Sequence, residues 1–179
     1  FYYRYACDTA QGNLNEPGVR LATGGAQRKG GMATFMAAAR DYRVWMLFIT
    51  YGACFGVELT IHNLAAMYYV DRFGLSVASA GLYVGCFGLL ALFARALGGV
   101  ASDKLAHTRG LDGRVTLLFA LMLAEGVGLI VFSQMGTATR ALVAMLIFGL
   151  FTHMACGATY SLVPFVNRKA LGGVAGIVG

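Results

Sequence analysis

Charged side chains are scarce in this 179-residue chain. Asp, Glu, Lys and Arg make up 12% of the residues, hydrophobic residues make up 58%, and the mean hydropathy is +0.67. Because soluble domains have about a quarter of their residues charged, this composition excludes an ordinary soluble protein. The alternation of apolar and polar residues that predicts strands is also almost absent. We therefore predict an all-α membrane protein.

Cysteine is scarce as well. Cys7, Cys54, Cys86 and Cys156 have no paired spacing, so we interpret them as small packing residues rather than a disulfide framework. His153 and Cys156 are three residues apart, which suits a metal on a helix, but no two further ligands lie near them in the sequence. Without a Ser–His–Asp set, paired carboxylates or a ligand cluster, we predict no catalytic residue, no metal, no cofactor and no enzyme activity.

Long apolar runs dominate the rest of the chain. A transmembrane helix needs about 20 apolar residues, and four windows qualify, followed by the start of a further helix: 44–70, 75–101, 115–135, 141–166 and 170–179. The short links between them predict antiparallel neighbours in a polytopic helix bundle. The 25 glycines lie mostly within these runs and predict tight helix contacts, at Gly85/Gly88, Gly98/Gly99, Gly126/Gly128 and Gly149/Gly157.

Residues 1–40 differ from the spans in composition. They mix Gly, Asn, Gln and basic residues and include Pro17, which predicts a poorly ordered cytoplasmic connector, with Phe1–Ala6 as the end of an earlier helix. The chain begins with Phe and stops inside an apolar run. We therefore expect a fragment.

The basic residues are distributed unevenly. Apart from Arg95, only Arg72 and Arg140 of the 14 Lys and Arg residues lie outside three regions. These are the segment before the first span, the connection between the second and third spans with its Ser102–Gly113 loop, and the stretch around Asn167–Lys169. Cytoplasmic loops carry such an excess of basic residues, so the net charge of +6 reflects topology, and nucleic-acid binding is the poorer explanation.

Arg95 is the one charged residue between Ala78 and Ala101. A guanidinium at that depth costs about 2.5 kcal/mol or more even on the most lenient insertion scale, and arginine cannot lose its proton to avoid it. It must therefore face a partner charge, a polar cavity or an anionic ligand. Glu58, in the middle of the preceding span, is the alternative structural partner.

Glu58 lies on a helix face with Tyr51, Phe55 and His62, because these residues are spaced by three or four. The aromatic rings would line a cavity beside the carboxylate, and Glu58 and His62 are candidate proton sites. For Glu125, in the third span, we expect a structural hydrogen bond.

The loop from Gly99 to Arg114 carries the most specific motif. Its Gly99-Val-Ala-Ser-Asp103-Lys104 run, followed by Arg109, resembles the glycine–aspartate–basic signature of the major facilitator superfamily. Here we expect Gly99 to let two helices touch at the cytoplasmic mouth and Asp103 to pair with a basic residue. Contacts of this kind would gate the mouth by forming in one conformation only.

Three further runs resemble one branch of that superfamily, the nitrate/nitrite porter family. They are YGACFGVELTIHNLAAMYYVDRFGL (Tyr51–Leu75), FARALGGVASD (Phe93–Asp103) and GATYSLVPFVNRKALGGVAGIVG (Gly157–Gly179). They are similar to the family's seventh, eighth and tenth-to-eleventh helices. The resemblance implies a partial major-facilitator fold that corresponds to the C-terminal half of the transporter.

The resemblance also implies site residues. Arg95 matches the second-half arginine that binds nitrate, Tyr51 and Phe55 match aromatic positions beside it, and three glycines match the start of a glycine-rich nitrate signature: Gly172, Gly176 and Gly179. A planar guanidinium suits a planar monovalent oxyanion. Cys156 departs from the family's pattern, which has Glu there, and the partner arginine would lie in a first half outside this sequence.

The implied function is secondary active transport of nitrate, or nitrite, by alternating access. The protein would be a multi-pass component of the plasma membrane, embedded in lipid, with a proton as a candidate co-substrate; an accessory subunit and the oligomeric state stay undetermined. Two alternatives stay open. One is a facilitator for another small anion, such as phosphate or an organic anion, and the other is a non-transporting scaffold in which Arg95 pairs with Glu58.

Overall fold

The computed structural model describes residues 31–179, apart from the side chain of Lys169, and this part is built from helices without strands. In chain order the elements are α1 (Gly31–Ala39), α2 (Tyr42–Phe73), α3 (Val77–Ser133), α4 (Ala138–Val166), a 3₁₀ turn (Arg168–Ala170) and α5 (Leu171–Val178). The predicted all-α class is confirmed. Cys7, Pro17 and Phe1–Ala6 lie outside the described residues.

Local sequence signals set the ends of α2 and the start of α3. The Asp41 side chain accepts a hydrogen bond from the Arg43 backbone N–H at 3.0 Å, which caps the start of α2. Gly74 ends the helix in the left-handed conformation (φ 66°), which glycine adopts without steric strain. Ser76 then caps α3 by accepting from the backbone N–H of Ser79 at 3.2 Å. This tight connection makes α2 and the start of α3 neighbours.

Helix α3 is 57 residues long and bends sharply at Gly110, whose φ of 61° and ψ of −141° lie outside the helical region. Arg114 Nη1 lies 2.7 Å from Asp103 Oδ1. In a straight helix, the rise along the axis from Asp103 to Arg114 would be about 16 Å. Their direct contact therefore requires the chain to reverse at Gly110. The prediction that Ser102–Gly113 forms a loop is therefore wrong. The backbone is helical on both sides of one non-helical glycine, and α3 forms two segments, 77–109 and 111–133.

Helix α4 is the most buried of the long helices. Of its most apolar 18-residue window, 56% is buried, against 33% for α2 and 22% for α3. A Cβ at Gly98 would collide with the Met154 carbonyl, and one at Gly157 with the Arg95 carbonyl. The backbones of α3 and α4 therefore touch through these two glycines, as small residues allow in transmembrane helices.

The predicted glycine contacts are only partly present. Added Cβ atoms would crowd side chains at Gly88, Gly128 and Gly149, but at Gly85, Gly99 and Gly126 they would meet no atom within 4 Å. Adjacent positions of a helix point in directions about 100° apart, so of Gly98 and Gly99 only Gly98 faces α4. Gly149 and Gly157, which are farther apart in α4, both face α3.

Residues 31–39 of the predicted connector are helical, which corrects that part of the prediction. The sequence of α1, GMATFMAAA, is rich in alanine and other helix formers. The indole N–H of Trp45 donates to the Ala39 carbonyl at 2.8 Å and so satisfies a backbone acceptor at the end of α1. A Cβ at Gly173 of α5 would lie 2.5 Å from the Thr34 carbonyl, so α1 and α5 are in close contact.

Helices α2, α3 and α4 are long and apolar enough to span a membrane. At 1.5 Å per residue, α3 would extend about 85 Å if straight, well beyond the roughly 30 Å of hydrocarbon in a bilayer. Its reversal at Gly110 resolves this difference, since each segment is then of a length that could cross a bilayer once. The chain is an integral, multi-pass membrane protein.

Candidate functional site

An ion pair between α2 and the first segment of α3 lies at the centre of the candidate site. Arg95 Nη2 donates to both carboxylate oxygens of Glu58, at 2.7 and 2.6 Å. The structural pairing left open by the sequence therefore exists. The pair is not sealed, because the Arg95 side chain is 40% exposed and that of Glu58 is 8% exposed.

Arg95 keeps hydrogen-bonding capacity beyond this pair. Both of its bonds to Glu58 come from the same nitrogen, and its buried Nε has no hydrogen-bond partner among the described residues. A buried donor without a partner is costly, and an oxyanion could accept from it. The guanidinium is therefore anchored by Glu58 on one side and available on another.

Aromatic rings from α2 stand beside the guanidinium. The centroid of the Phe55 ring lies 6.0 Å from Cζ of Arg95. Tyr51 stacks on Phe55, with 5.3 Å between ring centroids and 12° between ring planes, and meets Tyr160 of α4 edge-on at 5.1 Å. The structure thus brings Tyr51 and Phe55 to the same side of the site as Arg95, where apolar rings in place of water would strengthen charge interactions.

Helix α4 adds His153 and Cys156 to the other side of Glu58. His153 Nδ1 lies 3.3 Å from Glu58 Oε2, within ion-pair distance but not aligned as a hydrogen bond. Its Nε2 lies 3.3 Å from the Phe87 carbonyl oxygen. The Cys156 thiol lies 3.8 Å from Glu58 Oε2. From the sequence, His153 is considered only as a metal ligand and Cys156 also as a packing residue, and their contact with Glu58 is missed. Their three-residue spacing places both on one helix face, but it does not show which residue that face meets.

Two buried cysteines also meet at this site. The sulfur atoms of Cys54 and Cys156 are 3.3 Å apart, and both thiols are free. Their small volume lets α2 and α4 approach closely beside Glu58, which agrees with their interpretation as packing residues. Within residues 31–179, no group of three His, Cys, Asp or Glu side chains is arranged to hold a metal ion.

The other predicted binding residues lie elsewhere or at the margin. The exposed His62 contacts the Phe87 ring edge-on at 5.3 Å rather than the ion pair. Gly172 and Gly176 lie on an open face of α5, where an added Cβ would meet no atom within 4 Å. Gly179 instead touches the Tyr160 hydroxyl, and Tyr160 in turn contacts Tyr51.

A second polar cluster surrounds the turn at Gly110. Arg114 binds the Asp103 carboxylate and donates to the Ser102 hydroxyl at 3.2 Å, and Ser102 shares a 2.6 Å hydrogen bond with Ser161 of α4. The Arg114 guanidinium also lies over the Phe165 ring, at 4.8 Å. The cluster ties the reversal of α3 to the end of α4, and Asp103 has the basic partner that the motif predicts.

The remaining residues of the predicted gate are exposed or displaced. Lys104 and Arg109 are exposed. The helix contact expected at Gly99 is made by Gly98 instead, and Gly99 faces open space. The prediction was wrong by one residue because a motif does not give the rotation of its helix.

Glu125 also departs from expectation. Both of its carboxylate oxygens are buried without a hydrogen-bond partner in the described part of the chain, and the nearby Thr152 hydroxyl donates to the Phe148 carbonyl instead. The predicted structural hydrogen bond is absent there.

Comparison with known proteins identifies the family. Over 140 residues, or 78% of the chain, the sequence is 40% identical to the high affinity nitrate transporter 2.5 of Arabidopsis thaliana and 41% identical to nitrate transporter 2.2 of Chlamydomonas reinhardtii. It is also 31% identical over 76% of its length to the nitrate/nitrite transporter NrtP of a Picosynechococcus strain. The chain belongs to the nitrate/nitrite porter family.

The match covers most of this sequence but a small part of its relatives. The aligned region spans 28%, 27% and 25% of those three proteins, respectively. No family model and no solved structure matches the chain. The family resemblance predicted from the sequence motifs is confirmed, and the relatives are transporters.

Proposed function

We propose that the protein moves nitrate, or nitrite, across the plasma membrane by alternating access, and that Arg95 binds the anion. The single observation that supports this best is the partly exposed guanidinium of Arg95, which lies beside the Tyr51–Phe55 stack and whose Nε has no hydrogen-bond partner among the described residues. Nitrate is planar and monovalent, so two parallel N–H groups of a guanidinium match it better than an ammonium does.

The polar cluster around Gly110 supports a gating role in the same proposal. Asp103, Arg114 and Ser161 join α3 to α4 through an ion pair and a chain of hydrogen bonds. Such contacts break when two helices separate, so they stabilise one conformation over another. Rocking of two helical halves about a midplane site would then expose Arg95 to each side in turn.

Arg95→Lys tests the anion site. In the natural polypeptide that contains this sequence, the substitution keeps the charge but loses the planar donors. We expect labelled nitrate uptake to fall about tenfold to a hundredfold, equivalent to about 1.5–3 kcal/mol of lost binding. Arg72→Lys is the matched control, because Arg72 is exposed in the last turn of α2. Uptake that is unchanged by Arg95→Lys, at equal amounts of protein in the membrane, would exclude this site.

The alternative scaffold function is supported by the observed ion pair itself. Arg95→Gln with Glu58→Gln separates the two functions, because removing both partners leaves no buried unpaired charge and should preserve folding. The transporter proposal predicts a folded protein without nitrate uptake. A non-transporting scaffold predicts no nitrate uptake by the unaltered protein and a double variant that behaves as the unaltered protein does. Competition by phosphate and organic anions against labelled nitrate tests the other alternative, a facilitator for a different anion.

A further inference from the structure

The surroundings of His153 contain more acceptors than a neutral imidazole can satisfy. The side chain is fully buried, with Nε2 facing the Phe87 carbonyl and Nδ1 facing Glu58, each at 3.3 Å. Both neighbours accept hydrogen bonds when Glu58 is ionised, and a neutral imidazole has a single N–H. In either tautomer, one ring nitrogen then lies 3.3 Å from an oxygen with no proton between them. Nδ1 indeed has no hydrogen-bond partner among the described residues.

One additional proton resolves this mismatch. If it binds Nδ1, the imidazolium donates to both acceptors; if it binds Glu58, the carboxyl group donates to Nδ1. The proton comes from water, and the exposed edge of the Arg95–Glu58 pair provides the route to Glu58. No covalent bond other than N–H or O–H forms or breaks.

The same proton changes the net charge of the site. Ionised Arg95 and Glu58 with a neutral His153 sum to zero, so a bound anion would leave the site with one uncompensated negative charge. Adding one proton makes the sum +1, and binding one monovalent anion returns it to zero. A buried site strongly disfavours uncompensated charge, so anion and proton should each favour binding of the other.

We infer that Glu58 and His153 bind one proton between them and that this proton releases Arg95 from Glu58 to bind the anion. The inference rests on the proposed function and identifies the residues that hold the coupled proton. It assigns proton coupling to His153 rather than to His62, which is exposed and contacts Phe87. Because the coupling of two ligands is reciprocal, a pH gradient would drive the anion and an anion gradient would drive the proton.

The other titratable groups around the pair do not offer an equivalent proton site. Arg95 from α3 is permanently charged. Cys54 from α2 and Cys156 from α4 contact each other, and Cys156 also contacts Glu58. Tyr51 from α2 is engaged with Phe55 and Tyr160. Glu125, on the second segment of α3, has no hydrogen bond to Glu58 or His153.

Reconstituted liposomes containing the natural polypeptide that includes this sequence provide the test. Counterflow of labelled nitrate, without a pH gradient, reports anion movement alone. Accumulation driven by a pH gradient, with the membrane potential clamped, reports coupling. We expect Glu58→Gln and His153→Gln to lose a much larger fraction of gradient-driven accumulation than of counterflow. Asp71→Asn and His107→Gln are the matched controls, because both side chains are exposed and distant in sequence from the pair.

The outcomes separate the two proposals. Absence of nitrate counterflow by the unaltered protein would refute the transport function itself. If the His153→Gln variant shows counterflow and also undiminished gradient-driven accumulation, the proton-sharing inference is refuted and the transport proposal is not. If a variant fails to fold, a measurement of nitrate and proton binding by the unaltered protein still tests the inference. When nitrate binds, the protein should take up protons from a weakly buffered medium. The affinity of the protein for nitrate should rise by at most about tenfold for each unit by which the pH falls. Binding without proton uptake at any pH would overturn the inference.

Discussion

At the scale of single residues, the direction in which each side chain points determines its role. Gly98 and Gly99 are adjacent, and the motif contains Gly99, but only Gly98 lies against the α4 backbone. Similarly, Glu58 and His62 share a face in a helical projection, yet only Glu58 meets Arg95 and His153. A difference of one residue in sequence rotates a side chain by about 100° around the helix, enough to move it from a contact to the surface.

Gly98→Ala and Gly99→Ala should therefore have opposite effects. A methyl group at Gly98 would overlap the Met154 carbonyl, so α3 and α4 must separate, at a cost of about 1–3 kcal/mol. At Gly99 the methyl group meets open space, and the higher helix propensity of alanine should stabilise the fold by up to about 1 kcal/mol. Thermal unfolding in detergent measures the difference. Equal melting temperatures for the two variants would contradict the packing described here.

At the scale of elements, a single glycine, Gly110, divides the long helix α3 into two segments. Its sequence between Ser102 and Gly113 has charged and polar residues typical of a loop, yet helix continues almost throughout. The reversal needs only Gly110, whose backbone conformation is accessible to glycine and strained for other residues. The Asp103–Arg114 ion pair then fastens the two segments together.

Gly110→Ala should destabilise the turn by about 1–3 kcal/mol, since alanine is strained at φ 61° and ψ −141°. Gly81→Ala is the matched control. Both positions are in α3 and have open space around an added Cβ, but Gly81 has helical geometry and should gain stability from alanine. Urea or thermal unfolding of both variants in the same detergent provides the measurement. A Gly110→Ala protein as stable as Gly81→Ala would show that the turn does not depend on glycine.

At the scale of the whole molecule, the arrangement around α4 assembles the site. Glu58 comes from α2, Arg95 from the first segment of α3, and His153 from α4. None of these helices could bury its ionisable residue alone, since an unpaired charge inside the bilayer is costly. Bringing the three together lets each group offset the others, while the exposed side of Arg95 keeps the cluster accessible.

The uneven distribution of basic residues predicts which ends of the bundle face the cytoplasm. With the exposed Cys86, and Cys7, replaced by Ser, we expect a cysteine at His107, near the Gly110 turn, to react with a membrane-impermeant thiol reagent only after the cells are permeabilised. A cysteine at Gly136, in the opposite link, should react in intact cells. Both positions are exposed, so accessibility depends on the side of the membrane. The reverse pattern would invert the topology.

The sequence by itself determined the all-α membrane class, the position of the long apolar segments and the ionisable residues within them. Composition, the length of apolar runs and the isolation of Arg95 follow from the free energy of transferring groups from water to hydrocarbon, which depends on residue type and not on tertiary contacts. The family motifs likewise depend on residue order, and they named Tyr51, Phe55 and Arg95 together.

Only the tertiary structure decided which residues surround that charge. Periodicity places Glu58 and His153 each on a helix face, but it does not give the rotation and depth at which α2 and α4 meet. Those are determined by close glycine contacts, by the small Cys54 and Cys156 side chains and by the reversal at Gly110. The contact between His153 and Glu58, and with it the shared proton, arises from packing between segments 95 residues apart in the chain.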